Sequence, residues 1–144
     1  AGVQLRMLVR GNCSVIPGIP GLSENIEIRG IIDRYLEHSR IFIFCNGGRG
    51  RERYFIGSAD WMTRNLDHRV EVYAPVHDRA IQAELRRIIE YGLRDNVAAR
   101  VVDGTGENRL YENDLPPFRS QSELYRFYTE QANEQLTQRE HAGK

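Results

Sequence analysis

The amino-acid sequence predicts an α/β fold in which helices flank a mixed β-sheet. Three observations predict it. Residues 3–9, 41–45, 53–57 and 69–75 carry alternating or continuous apolar runs of strand length. Residues 24–37 and 78–91 repeat apolar side chains at three- and four-residue steps, as an amphipathic helix does. Finally, a chain of 144 residues that is 40% hydrophobic can build one real core but hardly two. The expectation is a single domain over residues 1–136, with residues 137–144 as a disordered tail.

The elements follow in order. Val3, Leu5 and Met7 alternate with polar residues before Leu8-Val9, so this strand becomes buried along its length. A glycine in the position of Gly2 often ends a helix, so a helix is expected upstream of Ala1 and the fold is expected to be truncated on its N-terminal side. Asn12-Cys13-Ser14-Val15-Ile16 leads into Pro17-Gly18-Ile19-Pro20-Gly21, which is rich in turn formers. Ser23 is then placed to cap a helix over 24–37 whose stripe is Ile28, Ile31, Ile32, Tyr35 and Leu36.

The next strand, 41–45, is too apolar to be exposed on both faces. Asn46-Gly47-Gly48 opens a hairpin loop through Gly50, and residues 53–57 return. A structured loop over 58–67 precedes a strand over 69–75. A helix over 78–91, with Ile81, Leu85, Ile88 and Ile89 on one face, ends at Gly92. Residues 97–111 suit a short hairpin around Asp103-Gly104, and Ser120 or Ser122 caps a last helix to Leu136.

Twenty basic and twenty acidic residues give zero net charge, which argues against a nucleic-acid binder acting through a bulk positive field. Lys144 is the sole lysine. Arginine's planar fork suits phosphate, though a GC-rich genome produces the same bias. Cys13 and Cys45 show no metal-ligand spacing and read as two reduced, partly buried thiols of a cytoplasmic protein. No segment approaches the roughly 20 apolar residues that cross a bilayer.

Three segments are poorly explained by folding alone. Arg10 leaves the carboxyl end of a buried strand, where open α/β sheets place ligands; a solvated strand-end charge is the plainer reading. His38 and Arg40, two residues apart, can face one ligand from the same side of an extended chain, and imidazole suits proton transfer or attack on phosphorus. Residues 56–72 pack polar side chains around Trp61, where Arg64, Asp67, Arg69 and Glu71 could satisfy one another. Ser58 is the member of that run best suited to reach a phosphate.

Taken together, Arg10-Gly11, the Ile16-to-Ile26 stretch, Asp33-Arg34-Tyr35-Leu36-Glu37-His38-Ser39-Arg40-Ile41-Phe42, Asn46-Gly47-Gly48 and Ser58-Ala59-Asp60-Trp61-Met62 through Arg69-Val70-Glu71 resemble the last catalytic domain of polyphosphate kinases. Tail residues Pro117 to Gln121 and Glu123-Leu124-Tyr125 join the resemblance, which covers roughly residues 3–128.

The resemblance implies reversible transfer of the terminal phosphate of ATP to inorganic polyphosphate, with Mg2+ held mainly by a preceding domain. That same absent domain carries the phosphorylated histidine. It also implies a phospholipase-D-like fold, whose mark is His-x-Lys on a strand and a later Gly-Ser-x-Asn turn. Here these look like His38-x-Arg40 and Gly57-Ser58-Ala59-Asp60, and Cys45 stands where that superfamily has an Asp.

Arg10 and His38 match the family positions that contact the nucleotide phosphates of ATP or ADP; Arg40 and Ser58 rank behind them, and no residue is assigned to metal. The expectation is that Arg10 and His38 converge on one phosphate-sized pocket. The fragment alone is expected to be inactive, and the full-length enzyme to be a homo-oligomer with peripheral membrane contact. The alternatives are a phospholipase-D-like phosphodiesterase and a non-catalytic polyanion-binding module.

Overall fold

The computed structural model describes residues 2–11 and 13–142. The expectations attached to Ala1, Asn12, Gly143 and Lys144 lie outside the described residues. The elements in chain order are β1 (Leu5–Leu8), β2 (Ile26–Ile31), β3 (Ile41–Phe44), β4 (Arg53–Gly57), α1 (Thr63–Leu66), β5 (Tyr73–Val76), α2 (Arg79–Arg94), β6 (Ala99–Val101) and α3 (Ser120–Ala142). The class is mixed α/β, with two three-stranded sheets. The chain divides into two compact units, residues 1–36 with 91–144 and residues 37–90.

In the first unit the sheet order is β1-β2-β6, with β2 parallel to β1 and antiparallel to β6. The expected helix over 24–37 is therefore a strand. Its isoleucines fit a helical stripe, but Ile26, Ile28 and Gly30 also alternate at the strand period, and β-branched side chains favour the pleated form. Pairing on both edges of β2 decides the matter. Gly30 belongs to that arrangement, because a Cβ there would lie 3.1 Å from the Val9 carbonyl oxygen. Ser23 caps nothing: its hydroxyl donates to the Ile16 carbonyl at 2.6 Å and accepts from the Ile19 amide at 3.1 Å, closing the proline–glycine loop.

Asp78 does cap α2, accepting from the Ala80 and Ile81 amides at 2.8 and 3.0 Å. Gly92 does not end that helix, which runs to Arg94. It leaves room for Leu8, whose Cδ1 would stand 2.4 Å from a Cβ at this position. Just beyond α2, Asp95 is fully buried and accepts four backbone amides: Val97, Ala98 and Ala99 on one oxygen and Ser120 on the other. One carboxylate thus joins the end of α2, the start of β6 and the first turn of α3. Burial acts to raise its pKa, but the bonds from Ser120, Ala98 and Val97 outweigh that and hold it below the usual carboxylate range.

The start of α3 is tied down a second time. Arg119 donates from Nε to both oxygens of Asp33, at 3.1 and 2.9 Å, and Gln121 clasps the backbone N–H and carbonyl of Tyr35 at 2.9 and 2.8 Å. The helix then continues to Ala142, six residues past the expected Leu136. Good helix formers such as Glu134, Gln135, Gln138 and Arg139 sustain it. Among the described residues, no helix is long and apolar enough to cross a membrane.

In the second unit β3, β4 and β5 form an antiparallel sheet in chain order. The turn between β3 and β4 places Asn46 through Gly50 at positive φ, and a Cβ at Gly47 would lie 2.5 Å from Arg51 Nη2. Cys45 begins this turn and is exposed, rather than partly buried as expected; Cys13 is half-buried, and both are free thiols. β5 begins at Tyr73, later than the predicted 69–75, and its Pro75 is tolerated because β5 is an edge. The fully buried apolar residues are few: Ile28, Ile31, Ala98 and Ala99 in the first unit, Tyr54 and Ala59 in the second.

Candidate functional site

Arg10 lies two residues past the end of β1. The Val9 amide still donates to the Arg29 carbonyl at 2.8 Å, so the parallel pairing persists to the residue before it. Its side chain leaves the carboxyl end of β1 and is exposed, in the first unit. His38, Arg40 and Ser58 all belong to the second unit.

His38, Ser39 and Arg40 form the extended lead-in to β3 rather than part of the strand. The Gly57 amide donates to the Arg40 carbonyl at 2.9 Å, which carries the β3–β4 pairing one step further and fixes the Arg40 backbone. The period-two expectation holds: Arg40 Nη1 stands 2.9 Å from His38 Nδ1 and 3.3 Å from the His38 carbonyl oxygen.

A guanidinium can only donate, so Nδ1 accepts and the proton of the neutral ring is assigned to Nε2. Arg40 itself is held by Asp60, whose Oδ1 accepts from Nε at 3.1 Å and lies 3.0 Å from Nη2 as an ion pair. These two side chains are only 18% and 26% exposed, so the pair is less screened than a surface ion pair, whereas His38 is exposed.

Asp60 is brought to Arg40 by a turn with its own supports. Trp61 stacks on Phe42 with ring centroids 5.8 Å apart, and Tyr73 meets the Phe42 ring edge-on at 5.3 Å. Ser58 bridges toward β5: its hydroxyl donates to Glu71 and accepts from the Val72 amide at 3.0 Å. The side-chain amide of Asn65, on α1, donates to the other oxygen of Glu71 at 2.7 Å. Bonds from Ser58 and Asn65, with the charges of Arg69 and Arg40, hold the Glu71 carboxyl below its ordinary range.

The expected satisfaction among Arg64, Asp67, Arg69 and Glu71 is thus replaced by a Ser58–Glu71–Asn65 arrangement, because α1 turns Asn65 rather than Arg64 inward. Ser58, expected to reach a phosphate, spends its hydroxyl on Glu71. Asp60 and Asn65 were missed as organising residues. Asp60 stands 20 positions beyond Arg40 and meets it only once the β3–β4 register has formed, whereas Asn65 acts on Glu71, six positions on.

Among the described residues no group of three or more His, Cys, Asp or Glu side chains is arranged to hold a metal ion.

An exposed imidazole thus lies against an anchored arginine beside the antiparallel β3–β4 hairpin. The family described as polyphosphate kinase C-terminal domain 2 matches residues 1–121, and the chain belongs to that family. The polyphosphate kinase of Vibrio cholerae is 44% identical over 126 residues, covering 87% of this chain and 18% of that protein. Polyphosphate kinase 1 of Chlorobaculum tepidum is 45% identical over 130 residues, 90% of this chain and 18% of its own length. The crystal structure of polyphosphate kinase from Porphyromonas gingivalis superposes with a TM-score of 0.84 at 43% identity, covering 90% of this chain and 20% of that one. The chain therefore spans about a fifth of the relatives it matches.

Proposed function

We propose that this chain works as the C-terminal part of a polyphosphate kinase, which transfers the terminal phosphate of ATP reversibly to inorganic polyphosphate. His38 hydrogen-bonds a nucleotide phosphate oxygen through Nε2, and Arg10 stabilises charge on the transferring group. The nucleophilic histidine and the groups that hold Mg2+ belong to parts of the enzyme outside these 144 residues. The fold of this part is the phospholipase-D-like one, with Arg40 and Asp60 at the positions of that superfamily's Lys and Asn. The observation that carries the reading is the Arg40–His38 contact, which leaves an exposed imidazole with its outward nitrogen as a donor.

Phosphoryl transfer through a loose transition state depends on positioning and on positive groups around the moving phosphoryl, so a fragment holding part of the set is inactive alone. The test replaces His38 or Arg10 with Ala in the full-length enzyme and measures polyphosphate synthesis from ATP. Each variant is expected to lose about 10²-fold or more in turnover. Near wild-type turnover in both overturns the assignment. Sustained hydrolysis of an aryl phosphodiester by the chain itself, abolished by His38→Ala, would favour a phosphodiesterase instead.

A further inference from the structure

We propose that Arg40 and Asp60 form a positioning couple for His38, with Arg40 acting on the imidazole and not on a phosphate. The inference rests on the role given to His38 above and deepens it. Sequence pattern alone treats Arg40 as a second phosphate contact, but its guanidinium is already spoken for. Nε donates to Asp60 Oδ1 at 3.1 Å and Nη2 pairs ionically with the same oxygen at 3.0 Å, while Nη1 serves the His38 ring and carbonyl at 2.9 and 3.3 Å. A side chain so committed, and 18% exposed, has little left to offer a ligand.

What it does supply is a choice of tautomer. A neutral imidazole in water shuttles its proton between two nitrogens, and only one form presents a donor outward. The contact from Arg40 makes Nδ1 the acceptor and leaves the proton on Nε2, facing solvent on an exposed residue. Among the described residues His38 makes no other hydrogen bond, so this contact is what sets the ring. Asp60 in turn holds Arg40 back from swinging away, through one charge-assisted hydrogen bond and an ion pair to the same carboxylate oxygen. The Trp61–Phe42 stack beside it fixes the turn that carries Asp60. Phe42, Trp61, Asp60, Arg40 and His38 thus convert the hairpin's geometry into the direction of one N–H bond.

The test uses the full-length enzyme and compares turnover in polyphosphate synthesis for Arg40→Met, Asp60→Ala and Asp60→Asn, each alone and combined with His38→Ala. Arg40→Met is expected to lose about 10²-fold and Asp60→Ala about 10-fold, at or below the low end of acid–base assistance. Asp60→Asn, which keeps an oxygen acceptor, should recover most of the loss. In the His38→Ala background all three should change residual turnover by less than about twofold, because nothing remains to be positioned. Nitrogen-15 shifts of the His38 ring give a second reading: a protonated Nε2 in the wild type, a mixture of tautomers in Arg40→Met. Should Arg40→Met fail to fold, Asp60→Ala carries both readings.

If His38→Ala alone turns over like the wild type, the functional reading fails and the inference falls with it. If His38→Ala is slow but the Arg40 and Asp60 variants are not, the positioning role alone is overturned. The same holds if their losses persist in the His38→Ala background, or if the ring tautomer is unchanged.

Discussion

Asp95→Ala is expected to be among the most damaging single changes in the first unit. The residue is fully buried and accepts amides from Val97, Ala98, Ala99 and Ser120 at 3.0, 2.7, 3.1 and 2.7 Å. Truncation strands several donors at once in a site closed to water. Each stranded buried donor costs about 1–3 kcal/mol, and relaxation recovers part, so the net loss should be about 3–5 kcal/mol. That is a large share of the roughly 5–15 kcal/mol that stabilises a domain. Asp95→Asn separates geometry from charge: its oxygen can still accept on the β6 side, but its NH2 group then faces the Ser120 N–H, a donor against a donor. It should lose about 1–3 kcal/mol. Urea unfolding followed by far-ultraviolet circular dichroism measures both, and hydrogen exchange at the Ser120 and Ala98 amides localises the change. A loss below about 1 kcal/mol for Asp95→Ala would refute the view that this carboxylate joins α2, β6 and α3.

Acid should weaken the fold through the same group and two others. Bonds from Arg119 lower Asp33, and bonds from Thr105 and Arg109 lower Asp103 to about 2. Depressed carboxyls contribute stability that is present above their unfolded values, near 3.9, and lost as pH falls through the folded ones. The urea midpoint should therefore hold from about pH 7 to 5 and fall between about 4 and 2, less steeply in Asp33→Asn; a flat profile across that window would contradict the assignment. Gly47→Ala should cost about 1–2 kcal/mol, because φ is +81° there and the new Cβ would meet Arg51 Nη2 at 2.5 Å. Thermal unfolding of the variant checks this, and an unchanged midpoint would show that the turn yields without strain.

Local chemistry was legible in the sequence where a short-range rule sufficed. Asn46-Gly47-Gly48 marked the β3–β4 hairpin, 53–57 matched β4 residue for residue, and Asp78 marked the start of α2. The placement of His38 and Arg40 on one side also followed from spacing two apart in extended chain, although their direct contact did not. The helix expected over 24–37 failed because its isoleucines fit two periods at once, and the partners that chose between them lie at 5–8 and 99–101. Gly92 misled for a similar reason: it reads as a terminator, but its bareness serves Leu8 from β1.

By itself the sequence determined the family, the hairpin, and the helices that follow Asp78 and begin at Ser120. These depend on neighbours within a few positions, or on motifs kept in order along the chain. Only the tertiary structure decided that 26–31 is a strand, that Asp95 joins three elements, and that Arg40 is bound between Asp60 and His38. Each of those outcomes turns on hydrogen bonds or packing between residues far apart in the chain. Such a bond exists only once the backbone has closed around it, and no local preference encodes which distant partner will arrive.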